Sequence, residues 1–153
     1  MSLDLMTEIA YRLTVGEVIC KCGCQSHHMH VDFLKAWEKL RKTHNKPILG
    51  VSWVRCREYN KKIGGEINSG HIAGMAFDPA KSTFDLNDPE NLFLAMNCGF
   101  IGFGRSHDAS NRQHLDTKPR SSIKFWQYTS TGMIEDQEAF EFYEKWGKEG
   151  KII

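Results

Sequence analysis

One glycine-rich stretch constrains the fold of this chain more than any other, the segment SGHIAGMAFD from Ser69 to Asp78. It carries two side chains that bind metals in proteins, His71 and Asp78, seven positions apart. If the residues between them formed a straight strand, these two side chains would lie about 20 Å apart. Gly74 lies between them, and a glycine inside a strand often marks a bend. The stretch therefore predicts a loop, a turn and then a strand, a path that brings both side chains to one ion.

A third side chain of the same kind is His114, in the segment QHLDTKPR. Two imidazoles and a carboxylate are ligands that zinc accepts, and a catalytic zinc site has three protein ligands and an open position. Histidine and aspartate are also common in turns and at strand ends, so residue type and spacing alone leave an ordinary polar role open. His71, Asp78 and His114 are therefore a candidate metal shell.

Length and charge restrict the class of protein. The chain has 153 residues, enough for one domain with a substantial core. Its 20 Lys and Arg residues nearly balance 19 Asp and Glu, so composition gives no support for nucleic-acid binding. No apolar run approaches the roughly 20 residues that span a bilayer, and the N-terminus lacks the features of a signal peptide. We therefore expect no membrane span and synthesis in the cytoplasm.

Apolar periodicity and turn residues predict an α+β domain, built on a small antiparallel sheet with flanking helices. Asp88 followed by Pro89 is a helix-start signal, and Phe33, Trp37 and Leu40 form one apolar stripe. The predicted helices cover residues 3–13, 32–43, 57–63, 88–99 and 135–146, the last with Ala139, Phe140, Tyr143 and Trp146 facing the core. The predicted strands cover residues 47–55, 72–77, 100–104, 113–117 and 123–128.

The cysteines allow two interpretations. Three of the five, Cys20, Cys22 and Cys24, alternate in VICKCGCQSHHMH, and the histidines at positions 27, 28 and 30 follow them. Such a cluster could hold a second, structural zinc ion. Structural zinc sites usually space their cysteines as CxxC, however, and an odd cysteine count without an export signal favours reduced thiols. This spacing favours buried thiols in a short strand or turn.

The segment from Val51 to Asp78 resembles the zinc D-Ala-D-Ala peptidases that share a fold with the Hedgehog signalling domain. Their pattern is an arginine at a strand end, an EYN-like helix, a glycine pair, SxHxxGxAxD and a final histidine. In this chain these elements are, in order, Arg55, residues 58–60, Gly64–Gly65, residues 69–78 and His114. The HLD sequence before a basic residue is most similar to the murein endopeptidase branch, and CKCGC recurs in phage-type relatives. The core of the resemblance lies within residues 47–128.

The resemblance implies that residues 1–153 form a single zinc peptidase domain acting on peptidoglycan stem peptides or cross-links. It implies zinc binding by His71, Asp78 and His114. Arg55 would bind a substrate carboxylate or the developing oxyanion, and Ser69 would contact substrate or brace its own loop. Without an export signal, such an enzyme needs another route to the cell wall, which fits a phage or prophage origin.

The proton acceptor is the point at which the chain departs from much of the family. Several members have Glu or Asp three residues before the final histidine, and this chain has Asn111. Asp116 shares a strand face with His114 and is the first candidate for a catalytic base, with Asp108 and His107 as alternatives. Asp116 could equally orient the imidazole. The absent acid also leaves open a metal-retaining binding module without catalysis.

Overall fold

The computed structural model describes residues 2–108 and 110–152. In this part of the chain, strands and helices mix in an α+β arrangement, as predicted. The strands are β1 (Glu8–Ala10), β2 (Leu13–Thr14), β3 (Gly50–Ser52), β4 (Ala76–Pro79), β5 (Gly102–Arg105), β6 (His114–Asp116), β7 (Lys124–Thr129) and β8 (Gly132–Glu135). The helices are α1 (Val15–Val18), α2 (Val31–His44), α3 (Arg57–Lys62), α4 (Pro89–Met96) and α5 (Gln137–Lys148). None of these helices is long and apolar enough to cross a bilayer.

The main sheet has six strands in the order β3-β4-β6-β5-β7-β8. Its neighbouring strands are antiparallel, as predicted, except that β5 and β7 are parallel. The exception arises because β7 follows β6 in sequence but lies on the far side of β5. The segment between β6 and β7 crosses one end of β5, and the chain then reverses direction. Strand β7 is therefore antiparallel to β6 and parallel to β5.

One row of side chains across the sheet forms the centre of the core. Phe77 lies opposite Leu115, Leu115 opposite Phe103, and Phe103 opposite Phe125. All four are buried. Because side chains alternate along a strand, their neighbours in sequence point to the opposite face. That opposite face carries the polar residues described below.

Helix α2 covers the core row, and its predicted apolar stripe is confirmed. Phe33, Trp37 and Leu40 are all buried. The rings of Phe33 and Trp37 meet Phe77 edge to face, with centroids 5.7 and 5.6 Å away, a favoured geometry for aromatic pairs. The helix ends at Asn45, which adopts the left-handed conformation common at helix ends.

The predicted N-terminal helix at residues 3–13 is wrong. Strands β1 and β2 form a small hairpin there, with Arg12 in a left-handed turn between them. The prediction failed because Leu5, the first of the apolar residues spaced four apart, is 49% exposed, so these residues do not form one buried face. Pairing between β1 and β2 therefore determines the structure of this segment, and its helical spacing does not.

Two predicted strands have different bounds in the structure. The strand predicted at 47–55 narrows to β3, a sheet edge where Val51 is exposed. The strand predicted at 72–77 begins only at Ala76, because turns occupy the preceding residues.

The C-terminal region also differs, because residues 132–135 form β8, which pattern alone did not predict. Helix α5 therefore begins at residue 137, and Phe140 is exposed. Phe142 packs against the core in its place, beside the predicted Ala139, Tyr143 and Trp146.

A buried ion pair joins the sheet to α5. Arg105, at the end of β5, donates from Nε and Nη2 to the Asp136 carboxylate that caps α5. Both residues are 2% exposed. Burial opposes ionisation of Asp136, but the hydrogen bonds from Arg105 outweigh it and hold the Asp136 pKa below its ordinary value. Glu138, whose side chain is 61% exposed, also accepts from Arg105 at 2.9 Å.

We expect Arg105→Met to destabilise the fold by about 3–5 kcal/mol, because it leaves a buried carboxylate without its partner. Urea unfolding at pH 7 measures this loss. Because the folded-state pKa of Asp136 is lowered, the ion pair contributes above the unfolded pKa and its contribution fades as pH falls. The matched control is Glu138→Gln, with an expected cost below about 1 kcal/mol at this exposed position. Equal, small effects of the two changes would contradict the account.

Candidate metal centre

The three predicted metal ligands converge at one point of the main sheet. Asp78 Oδ1 lies 3.1 Å from His71 Nε2 and 3.1 Å from His114 Nδ1. One possible ligand atom from each residue lies within 4.8 Å of the others. His71 and His114 are almost fully buried. Residues far apart in sequence thus form one compact group of donor atoms.

The bend predicted at Gly74 lies between the first two ligands. Gly74 has φ +68°, and a Cβ there would lie 2.2 Å from the carbonyl oxygen of His28. Only glycine fits both the conformation and the space. Met75 N donates to Gly70 O at 2.9 Å and closes the turn just before β4. His71 and Asp78 therefore approach the same point from a turn and from a strand.

Strand alternation places the other two ligands side by side. Asp78 follows the core residue Phe77 in β4, and His114 precedes the core residue Leu115 in β6. Because Phe77 and Leu115 are paired and point into the core, Asp78 and His114 point to the opposite face of adjacent strands. The core row thus fixes the register of the site.

Each imidazole has its second nitrogen bound elsewhere. His71 Nδ1 lies 2.7 Å from the carbonyl oxygen of Trp53, so Nδ1 carries the hydrogen and Nε2 is left for a metal. His114 Nε2 lies 2.7 Å from Asp116 Oδ2, which leaves Nδ1 for a metal. Such partners fix tautomer and ring orientation in metal sites.

Asp116 lies behind the His114 ring, away from Asp78. Its carboxylate is 1% exposed and also accepts from Arg120 and from Lys118 N at 3.1 Å. Gly102 gives it space, since a Cβ there would lie 2.5 Å from both carboxylate oxygens. This is the position of a carboxylate that orients an imidazole. The catalytic role of Asp116 stays a prediction, and these contacts favour the orienting alternative.

The charges of this group depend on one another. Burial lowers the pKa of His114, but hydrogen bonds to Asp116 and Asp78 outweigh burial and raise it to about 9. Burial raises the pKa of Asp116, but His114 and Arg120 bring it down to about 2. Asp78 follows the same pattern: burial opposes its ionisation, and the two imidazoles hold its pKa well below the ordinary value. Both carboxylates are therefore ionised at neutral pH.

Arg55 lies beside this group, as the resemblance implies. Its Nη2 donates to Asp78 Oδ2 at 3.2 Å, and its Nε donates to Ser52 Oγ at 3.0 Å. The backbone N–H of Arg55 donates to His71 O at 3.1 Å, so the two segments are also joined directly. The guanidinium side chain is 13% exposed, which leaves an edge of it in contact with solvent.

The remaining predicted residues have contacts of a different kind. Ser69 Oγ accepts the backbone N–H of His71 at 3.2 Å and so braces the loop. Asp108 bonds within its own loop, to Ser106 Oγ and to Ser110 N, and these bonds lower its pKa to about 2. His107 is exposed in the same loop.

Arg120 and Trp126 also lie beside the Asp116–His114 pair, and the sequence pattern predicted neither contact. Arg120 is the partner of Asp116, a pairing that the i,i+4 spacing in HLDTKPR could have suggested. The Trp126 ring lies 5.3 Å from the His114 ring, centroid to centroid, in the space that Gly104 leaves without a side chain. Trp126 is opposite Gly104 in the register, a contact that only the parallel pairing of β5 and β7 creates.

The donor set fits zinc. Two imidazole nitrogens and one carboxylate oxygen are ligands of catalytic zinc, and both imidazoles have the hydrogen-bonded second nitrogen usual for such ligands. This group of donors, on a sheet face with an arginine beside it, is therefore a candidate zinc-enzyme site.

Comparison with known proteins agrees with that class. Residues 11–116 match the sequence model of the family described as Peptidase M15, and the chain belongs to this family. The matched region contains all three candidate ligands, and the family consists of metallopeptidases that are typically zinc-dependent. No match was found among curated proteins.

We expect His71→Ala, Asp78→Ala and His114→Ala each to lose one equivalent of bound zinc, because two ligands alone hold the ion weakly. Zinc per chain after gel filtration, measured by elemental analysis, provides the test. His27→Ala is the matched control, since His27 belongs to neither group of candidate metal ligands and its Nδ1 lies 2.8 Å from the Gln25 carbonyl oxygen. Retention of full zinc by a triple variant of the three ligands would refute the site.

Proposed function

We propose that this protein is a zinc peptidase that hydrolyses an amide bond in peptidoglycan stem peptides or cross-links. Its type would be D-Ala-D-Ala carboxypeptidase or murein endopeptidase. The observation that carries the proposal is the convergence of His71 Nε2, Asp78 Oδ1 and His114 Nδ1, in a chain of the Peptidase M15 family. Action at the cell wall, and a phage or prophage origin, belong to the same proposal.

Zinc bound by these three residues would lower the pKa of water towards about 7 and polarise the scissile carbonyl. The surrounding residues keep the ligand atoms in place. Trp53 O holds the His71 ring and Asp116 holds the His114 ring, so neither imidazole has to reorient. Pre-orientation of this kind lowers the cost of assembling the reactive geometry.

Arg55 is suited to bind the anionic part of the substrate. A guanidinium has five N–H donors. Among the described residues, three of them are engaged, by Ser52, Asn60 and Asp78. The other two can donate to a substrate carboxylate or to the oxyanion that develops at the scissile carbonyl. Because Arg55 donates a hydrogen bond to Asp78, the positive charge of its guanidinium lies beside the candidate metal ligands.

Asp116 has two possible roles, and its contacts support positioning. Its two oxygens already accept from His114, Arg120 and Lys118. A carboxylate with a pKa of about 2 is also a poor proton acceptor at neutral pH. Orientation of His114 accounts for every one of these contacts.

We expect Asp116→Asn to weaken zinc binding by about 10–100-fold, while the rate at saturating zinc stays near that of the unchanged chain. Zinc titration against a competing chelator and rates at saturating zinc measure the two quantities separately. A rate loss of about 100-fold or more with unchanged zinc affinity would make Asp116 the proton acceptor instead. Asp108→Asn is the control for affinity, and a loss of activity in that variant would assign the proton to Asp108.

A second function is favoured by one specific observation. Asn111 occupies the position, three residues before His114, at which several family members have an acid. An amide cannot accept the proton of the attacking water. The chain could therefore retain the metal and bind cell-wall peptides, or another protein, without cleaving them.

A turnover assay separates the two functions. Zinc-loaded protein is incubated with purified muropeptides, both monomeric and cross-linked, and the products are identified by mass spectrometry. We expect zinc-dependent release of D-Ala or of cleaved peptides, and none from His114→Ala purified in parallel. If the fully zinc-loaded protein releases no product from either substrate, the peptidase function is refuted and the binding function remains.

A further inference from the structure

A second group of metal-binding atoms lies apart from the three catalytic ligands. The sulfur atoms of Cys20, Cys22, Cys24 and Cys56 all lie within 4.8 Å of one another, and all four residues are free thiols. We call these four residues the cysteine cluster. Cys20, Cys22 and Cys24 lie in the loop after α1, and Cys56 caps α3. The fold thus adds a fourth thiol from a distant segment to the three that alternate in sequence.

Two of the sulfur–sulfur distances fit a tetrahedral ion rather than a disulfide. Zinc–sulfur bonds of about 2.3 Å in a tetrahedron place the sulfurs about 3.8 Å apart. Cys22 Sγ lies 3.5 Å from Cys20 Sγ and 3.6 Å from Cys56 Sγ. A disulfide would require about 2.05 Å. The cluster is therefore close to the spacing of a four-thiolate site.

The loop that carries the three alternating cysteines is bent in a way that explains its unusual spacing. In a straight strand, Cys20 and Cys24 would lie about 13 Å apart, too far to bind one ion. Here Gly23 has φ +88° and Gln25 has φ +67°, so the backbone folds back on itself. The bond from Cys20 N to Ser26 O, at 2.8 Å, closes the loop. A CxCxC sequence can therefore act as the chelating turn for which CxxC is usual.

Backbone N–H groups donate to two of the sulfurs. Cys56 N lies 3.4 Å from Cys20 Sγ, and Tyr59 N lies 3.3 Å from Cys56 Sγ. Donors of this kind favour a thiolate over a thiol and are usual around metal-bound cysteines. The first of these bonds also joins the loop directly to the segment that carries Cys56.

We propose that the cysteine cluster binds a structural zinc ion through four thiolates. Four protein ligands leave no open position, so this ion has no place for substrate or water. Its effect is to tie the N-terminal loop to residue 56, immediately after Arg55. Cys24, Arg55 and Cys56 also line one cavity of about 700 Å³, so the bound ion would fix a wall of the space beside Arg55. The proposal does not depend on the peptidase function.

Zinc stoichiometry provides the first test. We expect two zinc ions per chain in the unsubstituted protein, one in Cys56→Ser, and one in His114→Ala. The matched control is Cys98→Ser, because Cys98 is a buried thiol outside the cluster, and it should keep two. One zinc per chain, lost in His114→Ala and kept in Cys56→Ser, would overturn the proposal and leave the catalytic site intact.

Cobalt substitution tests the ligand type without any cysteine variant, in case Cys56→Ser does not fold. We expect Co²⁺-loaded protein, and Co²⁺-loaded His114→Ala, to show the intense near-ultraviolet thiolate-to-cobalt charge-transfer band of a four-thiolate site. Absence of this band at full cobalt loading would overturn the proposal. So would an intact mass lower by two hydrogens, with unreactive thiols, in protein purified under reducing conditions, since that would show a disulfide.

Discussion

The structure depends on one half-buried carboxylate, that of Asp78, whose oxygen lies between two imidazoles. A charge in this position needs compensating partners, because burial without them is costly. Asp78 has three, His71, His114 and Arg55, which come from separate segments of the chain. On the far side of His114, the carboxylate of Asp116 continues the alternation and ends at a second arginine. Carboxylates thus alternate with imidazoles and arginines across the site. The ring nitrogens that would face a metal are the ones not held by Trp53 or Asp116.

The three ligands could be named from sequence because SGHIAGMAFD and His114 resemble a family pattern, and the bend between the first two is set locally. Gly74 indicates the bend between His71 and Asp78, because a left-handed residue in tight contact with His28 leaves no room for a side chain. The period of two along β4 and β6 then assigns Phe77 and Leu115 to the core and their neighbours to the site. Helix α2 could also be predicted from the sequence, because its apolar residues recur with the helical period.

What sequence did not reveal depends on which segments become neighbours. Cys56 joins the three alternating cysteines only because the fold brings the start of α3 against the loop after α1. Trp126 reaches His114 only because β7 pairs with β5 in parallel, a choice that no pattern in the sequence records. The role of Asp116 was ambiguous for the same reason, since a shared strand face does not say which edge of the imidazole a carboxylate meets.

Anomalous scattering at the zinc edge from crystals of the zinc-loaded protein tests the central claim most directly. The account predicts a peak bounded by His71 Nε2, Asp78 Oδ1 and His114 Nδ1, with Asp116 on Nε2 of the same His114 ring. A fully zinc-loaded crystal without a peak there, or with His114 bound through Nε2 and Asp116 displaced, would contradict the account.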